Sequence, residues 1–222
     1  SNSINTPDWS GVGFFFARAL HDLIVFEHLK APVPNRLIQV AKNGTPIADL
    51  QPMQGKPHLE FRGIKYNLPW ETYRPSSALD QHYETARDLK YWEAFLVKMV
   101  ENRFNVISLW NMHPYTFMVL PKNFPEASPW SKKELTQWQH LYREIFRMAK
   151  ERALDTYIVH WSIFVSKEFA EAHDVAKTNF YPHYYVPGDT SEIVRRYLRE
   201  SVKQVLEEYP DLDGIGVSHG EG

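Results

Sequence analysis

The 222-residue sequence predicts an α/β fold: a small N-terminal helix–strand segment, then about four βα units, the first half of a (β/α)8 TIM barrel. Three observations predict it. From Leu59 onward, short apolar runs alternate with stretches of helical periodicity, as parallel strands covered by crossover helices do. The segments after the strands are long, while the helix-to-strand connections Arg103-Phe104 and Ala153-Leu154 are tight. That asymmetry suits a barrel whose functional loops sit at the strand C-termini. The first strand candidate ends in Asn67-Leu68-Pro69-Trp70, which is not the glycine-rich phosphate turn of a dinucleotide-binding sheet.

Residues 1–58 read as a separate segment. Gly13 to Leu29 has a helical pattern, Leu37 to Val40 is a short strand candidate before the turn Asn43-Gly44, and the Pro/Gly-punctuated stretch Gln51 to Pro57 reads as a linker. The first barrel strand is placed at Leu59 to Leu68. One helix is placed from about Leu79 to Asn102, because Leu89, Trp92, Phe95, Leu96, Met99 and Val100 recur at helical spacing. Asn105 to Trp110 is the second strand, followed by a loop to Trp130. The next helix opens with Ser131-Lys132-Lys133-Glu134, a capping-box pattern. Asp155 to Trp161 is the third strand, with a second long loop from Phe164 to Asp189. The last helix starts near Thr190-Ser191 and stops at Pro210, with Val194, Tyr197, Leu198, Ser201, Val202, Val205 and Tyr209 facing inward. Leu212 to Ser218 is the fourth strand, after which His219-Gly220-Glu221-Gly222 form a Gly-flanked turn.

Composition narrows the function. Twenty-five basic against 27 acidic residues leave a net charge of −2, without the basic excess that a nucleic-acid backbone requires. No apolar run reaches membrane-spanning length. Cysteine is absent, which removes disulfides and thiolate chemistry. Seven Trp, twelve Tyr, thirteen Phe and ten His supply ring faces for sugars and polar groups for hydroxyls.

Parallel topology brings four strand ends together. They carry Asn67 and Trp70, then Trp110, Asn111 and His113, then His160 and Trp161, then His219 and Glu221. Trp70, Trp110 and Trp161 are expected to stack on sugar rings. Asn67, Asn111, His113, His160 and His219 are expected to bind hydroxyls or a uronate carboxylate. Glu221 is the candidate catalytic residue: glycoside hydrolysis needs a general acid, best with a raised pKa in a partly dry pocket, and a second carboxylate as base or nucleophile. Neither Glu71 nor Asp189 is well placed for that second role. His113, His160, His183 and His219 show no helical metal-ligand spacing, so neither metal nor cofactor is expected.

Phe61-Arg62-Gly63-Ile64-Lys65-Tyr66-Asn67-Leu68-Pro69 resembles the opening barrel strand of family 67 α-glucuronidases, Tyr157 to Phe164 is similar to their following strand, and Asp213 to Gly222 is similar to their fourth-strand Ser-Glu-Gly element. The resemblance covers roughly residues 57–222. It implies a barrel glycoside hydrolase with Glu221 as general acid and the base carboxylates on later strands. His219-Gly220 departs from that family's pattern. Trp9 to His21 and Pro34 to Leu50 resemble part of a sialate O-acetylesterase, an SGNH-type module, but neither the nucleophilic serine block nor the late Asp-x-x-His block is present.

The expected function is hydrolysis of a plant or algal poly- or oligosaccharide, uronate-containing where the family 67 resemblance holds. A carbohydrate O-acetylesterase fragment and a non-catalytic carbohydrate-binding protein are the alternatives. The expected partner is the carbohydrate substrate, with no nucleic acid and no membrane. An exposed strand edge at Leu212–Ser218 leads to the expectation of a homodimer or a missing C-terminal half. A polysaccharide substrate favours a periplasmic or extracellular location.

Overall fold

A computed structural model describes residues 58–71, 76–161, 164–175, 184–185 and 191–218. The N-terminal readings over residues 9–50 and the turn holding His219 and Glu221 lie outside the described residues. Four strands form one parallel sheet: β1 (Gly63–Asn67), β2 (Val106–Trp110), β3 (Asp155–Trp161) and, last in the chain, Gly214–Ser218. They lie side by side in chain order.

Between β1 and β2 the chain forms α1 (Ser77–His82), a 3-10 turn (Thr85–Arg87) and α2 (Leu89–Glu101). The single helix expected over 79–102 is therefore broken. Asp88 caps the second piece by accepting from the Lys90 amide at 2.9 Å, and the Ala86 carbonyl is taken by the Trp92 indole at 2.7 Å. The loop expected over 111–130 contains α3 (Tyr115–Met118) and a 3-10 turn at Pro125–Ala127. The helix α4 (Lys132–Lys150) begins with both halves of the capping box, Ser131 with the Glu134 amide and Glu134 with the Ser131 amide. Within the expected loop over 164–189 lie β4 (Val165–Ser166), α5 (Lys167–Ala172) and β5 (Tyr184–Tyr185). The last elements are α6 (Glu192–Glu208) and β6 (Gly214–Ser218).

Alternation along each strand separates two faces. Tyr66, Ile107, Leu109, Ile158 and Ile215 meet the helices and join a core with Trp92, Leu96, Trp138, Tyr142, Ile145 and Val205. Fully burying one such side chain contributes ~1.5–3 kcal/mol. On α6, Leu198 and Val202 pack against the core while remaining half-buried, and with the half-exposed Leu206 they form an apolar stripe at i, i+4 and i+8. Val217 on β6 is also exposed.

The tight connections end their helices in left-handed turns without glycine. Arg103 has φ 64° and Ala153 φ 54°. In each, two backbone bonds close a Schellman motif: Phe104 to Met99 and Arg103 to Val100, then Leu154 to Ala149 and Ala153 to Lys150. Side chains fasten the strand starts just beyond. Asn105 accepts from the Arg62 amide at 2.8 Å and donates to the Glu60 carbonyl at 2.8 Å, and β1 begins at Gly63 rather than at the expected Leu59. Asp213 accepts from the Thr156 amide at 2.8 Å and pairs with Lys150 at 2.9 Å.

Candidate functional site

The parallel register aligns residues in rows on the face opposite the core. Asn67, Trp110, Val159 and Gly216 form one row, and Lys65, Ser108, Tyr157 and Gly214 the row beneath it. Trp161 and Ser218 pair one step further toward the strand ends. Of the thirteen residues with this parity in the four strands, only Val106 is buried. Glycine at 214 and 216 keeps the fourth strand low: a Cβ at 214 would stand 2.9 Å from the Tyr157 ring.

Three of the expected site residues, Asn67, Trp110 and Trp161, therefore share this face. Lys65 joins them, with Nζ 3.8 Å from the Trp110 ring centroid, a cation–π contact. The Trp110 indole donates to Ser108 Oγ at 3.0 Å, which fixes the ring. Lys65, Ser108 and Tyr157 were not among the expected site residues. Their signal was present, since counting by twos from Asn67 and Trp110 along the strands reaches Lys65 and Ser108.

The other expected residues point elsewhere, and their positions correct the sequence reading. Trp70 is a core residue: its indole donates to Tyr142 Oη at 3.1 Å and its ring lies 4.8 Å from Trp138, leaving no face for a sugar. Asn111 spends its amide on the Trp70 carbonyl at 2.8 Å and its oxygen on the His113 amide at 2.9 Å, so it ties two loops together. His113 is fully enclosed, with Nε2 2.7 Å from the Tyr197 hydroxyl. Burial, and then the neighbouring His160, push its pKa down to about 3. His160 follows Thr156 and Ile158 onto the helix side of β3, where its ring meets Tyr115 edge-on at 5.2 Å, and burial lowers its pKa too.

Glu71, just past β1, is a further buried polar group. Its backbone is left-handed, φ 53°, and its carbonyl accepts from the Met112 amide at 3.2 Å. The residue is half-buried overall, but Oε2 has neither solvent nor a hydrogen-bond partner among the described residues. Desolvation, and then Glu168, hold its pKa well above the usual carboxylate range. The strand ends thus divide into an open face with rings, an amide and one cation, and a second layer in which His113, His160, Tyr115 and Tyr197 are buried and Glu71 is half-buried. Among the described residues no group of three His, Asp or Glu is arranged to hold a metal ion, and no helix is long and apolar enough to cross a membrane.

No protein-family profile and no curated protein matches the chain. Among solved structures it is similar to a GH138 enzyme targeting pectin rhamnogalacturonan II, with a TM-score of 0.69 and 26% identity over 85% of this chain. It spans 22% of that enzyme's length. A maltogenic alpha-amylase from Thermotoga neapolitana aligns with 73% of this chain and 40% of its own at a TM-score of 0.45 and 12% identity. A GH5_18 protein from Bifidobacterium longum subsp. longum aligns with 73% of this chain and 34% of its own at a TM-score of 0.41 and 15% identity. The chain is thus a mixed α/β structure, built on a parallel sheet, with a glycoside hydrolase-like fold.

Proposed function

We propose that this chain supplies four βα units of a (β/α)8 barrel in a glycoside hydrolase that cleaves a uronate-containing plant or algal poly- or oligosaccharide. The observation that carries the reading is the 26% identity, over 85% of the chain, to an enzyme targeting a pectic glycan. The open face supports it. Trp110 and Trp161 offer rings for the C–H faces of a sugar, Asn67 offers an amide for its hydroxyls, and Lys65 beneath Trp110 offers a charge opposite a uronate.

Glu221 is the general acid in this proposal. It lies three positions beyond Ser218, the end of β6 in the chain, and therefore on the sequence segment that follows a strand C-terminus. In the reaction its proton goes to the glycosidic oxygen as the bond to the anomeric carbon breaks. Water, activated by a second carboxylate, supplies the new hydroxyl. That second carboxylate belongs to barrel strands of a longer protein. The family 67 likeness of the strand-end motifs makes an α-glucuronidase-like specificity the first to assay.

The test is Glu221→Gln in the full-length protein, assayed on pectic and glucuronylated oligosaccharides. Turnover should fall by about 10²–10⁴-fold while substrate binding persists. Turnover near that of the wild type would remove Glu221 from the mechanism. Acetate release without glycosidic cleavage would replace hydrolysis of the sugar chain with ester hydrolysis.

A further inference from the structure

The helix α6 is fastened along one flank. Glu208 receives Arg143 of α4 at 3.2 Å, and Gln204 donates to the Leu120 carbonyl at 3.0 Å. Residues two apart on a helix lie about 160° apart around its axis. Val202 and Leu206 therefore stand nearly opposite Gln204 and Glu208. With Leu198 they line an open groove of about 510 Å³, bordered by Arg199, Lys203 and Glu207. An apolar stripe with a charged border is the surface a neighbouring helix covers.

The sheet is open on one edge in the same way. In the helix-side row Leu109, Ile158 and Ile215, the first two are buried and Ile215 is half-buried. In the next row His160 is buried, while its partner Val217 is 55% exposed. Burial on the helix side thus fails at β6 alone. The Asp213 amide donates to the Thr156 carbonyl, so by alternation Ile215 and Val217 turn their backbone groups toward β3, and Gly214 and Gly216 turn theirs away. Among the described residues no strand pairs with β6 on that outer side.

Continuity of the fold names the occupant. Each strand of the sheet pairs parallel with the one before it, α2 lies against α4, and α4 against β3. Right-handed crossovers keep such helices on one side of the sheet. The next place in the series is a helix beside α6, leading to a strand along β6. A second copy does not continue the series. A two-fold axis that keeps both helix layers on one side pairs β6 with β6 antiparallel, unlike every other pair in this sheet. We propose that the outer flank of α6 and the free edge of β6 are the seat of one further crossover of the longer protein. Its amphipathic helix covers Leu198, Val202, Leu206 and Val217, and its strand runs parallel to β6 and takes the outward backbone groups of Gly214 and Gly216. This seat rests on the reading of the chain as part of a barrel, and it fixes which surface carries that barrel forward.

The test uses the full-length protein. Hydrogen exchange should find the Gly216 amide at least about a hundredfold slower than an unpaired amide, at every protein concentration. Leu206→Asp should lower the melting temperature by roughly 5 °C or more, because a carboxylate is then shut beneath the neighbouring helix. Free exchange at Gly216 overturns the proposal, and that measurement needs no variant. Slow exchange with an unchanged melting temperature in Leu206→Asp overturns it as well, since a strand then pairs with no helix on α6. Protection that disappears on dilution gives the seat to a second copy and is equally fatal. Cleavage of pectic oligosaccharides by the wild type is scored separately. Cleavage with a freely exchanging Gly216 sinks the seat and leaves the hydrolase reading standing, and a covered seat without cleavage does the reverse.

Discussion

Acid should destabilise this protein through His113. Its ring is enclosed, its Nε2 is committed to Tyr197, and burial holds its pKa at about 3, whereas the unfolded chain returns it to an ordinary value of 6.5. A depressed pKa means that the unfolded state takes up the proton first. The stability His113 contributes is complete above about pH 6.5 and is lost as pH falls toward about 3, at up to ~1.4 kcal/mol per pH unit. Across the whole window the ceiling is ~5 kcal/mol, which is comparable with the total stability of many domains, roughly 5–15 kcal/mol. Urea unfolding of wild type and His113→Gln between about pH 7.5 and 4.5 isolates this effect, because glutamine cannot take the proton. At the upper end the variant should be less stable by ~1–3 kcal/mol, having disturbed the bond to Tyr197. At the lower end that gap should shrink by ~2–3 kcal/mol. Comparing the two proteins cancels the titrating groups distant from His113. A gap constant over the whole range would refute the claim that burial keeps His113 neutral.

Other outcomes follow from the same structure. Glu71 has the opposite sign: its folded pKa is raised, so its stabilising contribution is present below the ordinary carboxylate value and is lost as pH rises through the folded one. Glu71→Gln should therefore raise the melting temperature at neutral and alkaline pH and change it little in acid. Ala153→Gly should stabilise by ~0.5–1 kcal/mol in urea unfolding, because glycine adopts φ 54° without the Cβ penalty. Asp213→Ala should cost ~1–3 kcal/mol, because the Thr156 amide and Lys150 both lose their partner.

Much of the framework was legible in the sequence because it depends on period. The four strands, the capping box at Ser131 and the tight turns at Arg103 and Ala153 each follow from a local pattern, and the structure has them. The broken helix was less legible, since the apolar stripe runs through residues 89–100 and gives no sign that Trp92 takes the Ala86 carbonyl. The site divided along the same line. Asn67, Trp110 and Trp161 have the parity of the open face. His160 has the other parity, which alternation from Ile158 could have revealed. Trp70, Asn111 and His113 lie beyond the strands, where side-chain direction depends on partners distant in sequence: Tyr142 for Trp70 and Tyr197 for His113. No periodicity encodes those meetings.

The order of the strands has a consequence for synthesis. Each strand of the main sheet pairs with the one made immediately before it, so no pairing waits for a segment from the far end of the chain. A ribosome releases residues in that same order, and β2 can dock on β1 while β3 is still in the exit tunnel. The Schellman turns at Arg103 and Ala153 close within six residues, and the fastenings at Asn105 and Asp213 engage as soon as each new strand emerges. The sheet can thus lengthen one unit at a time, and its newest edge is the one exposed to chaperones during translation.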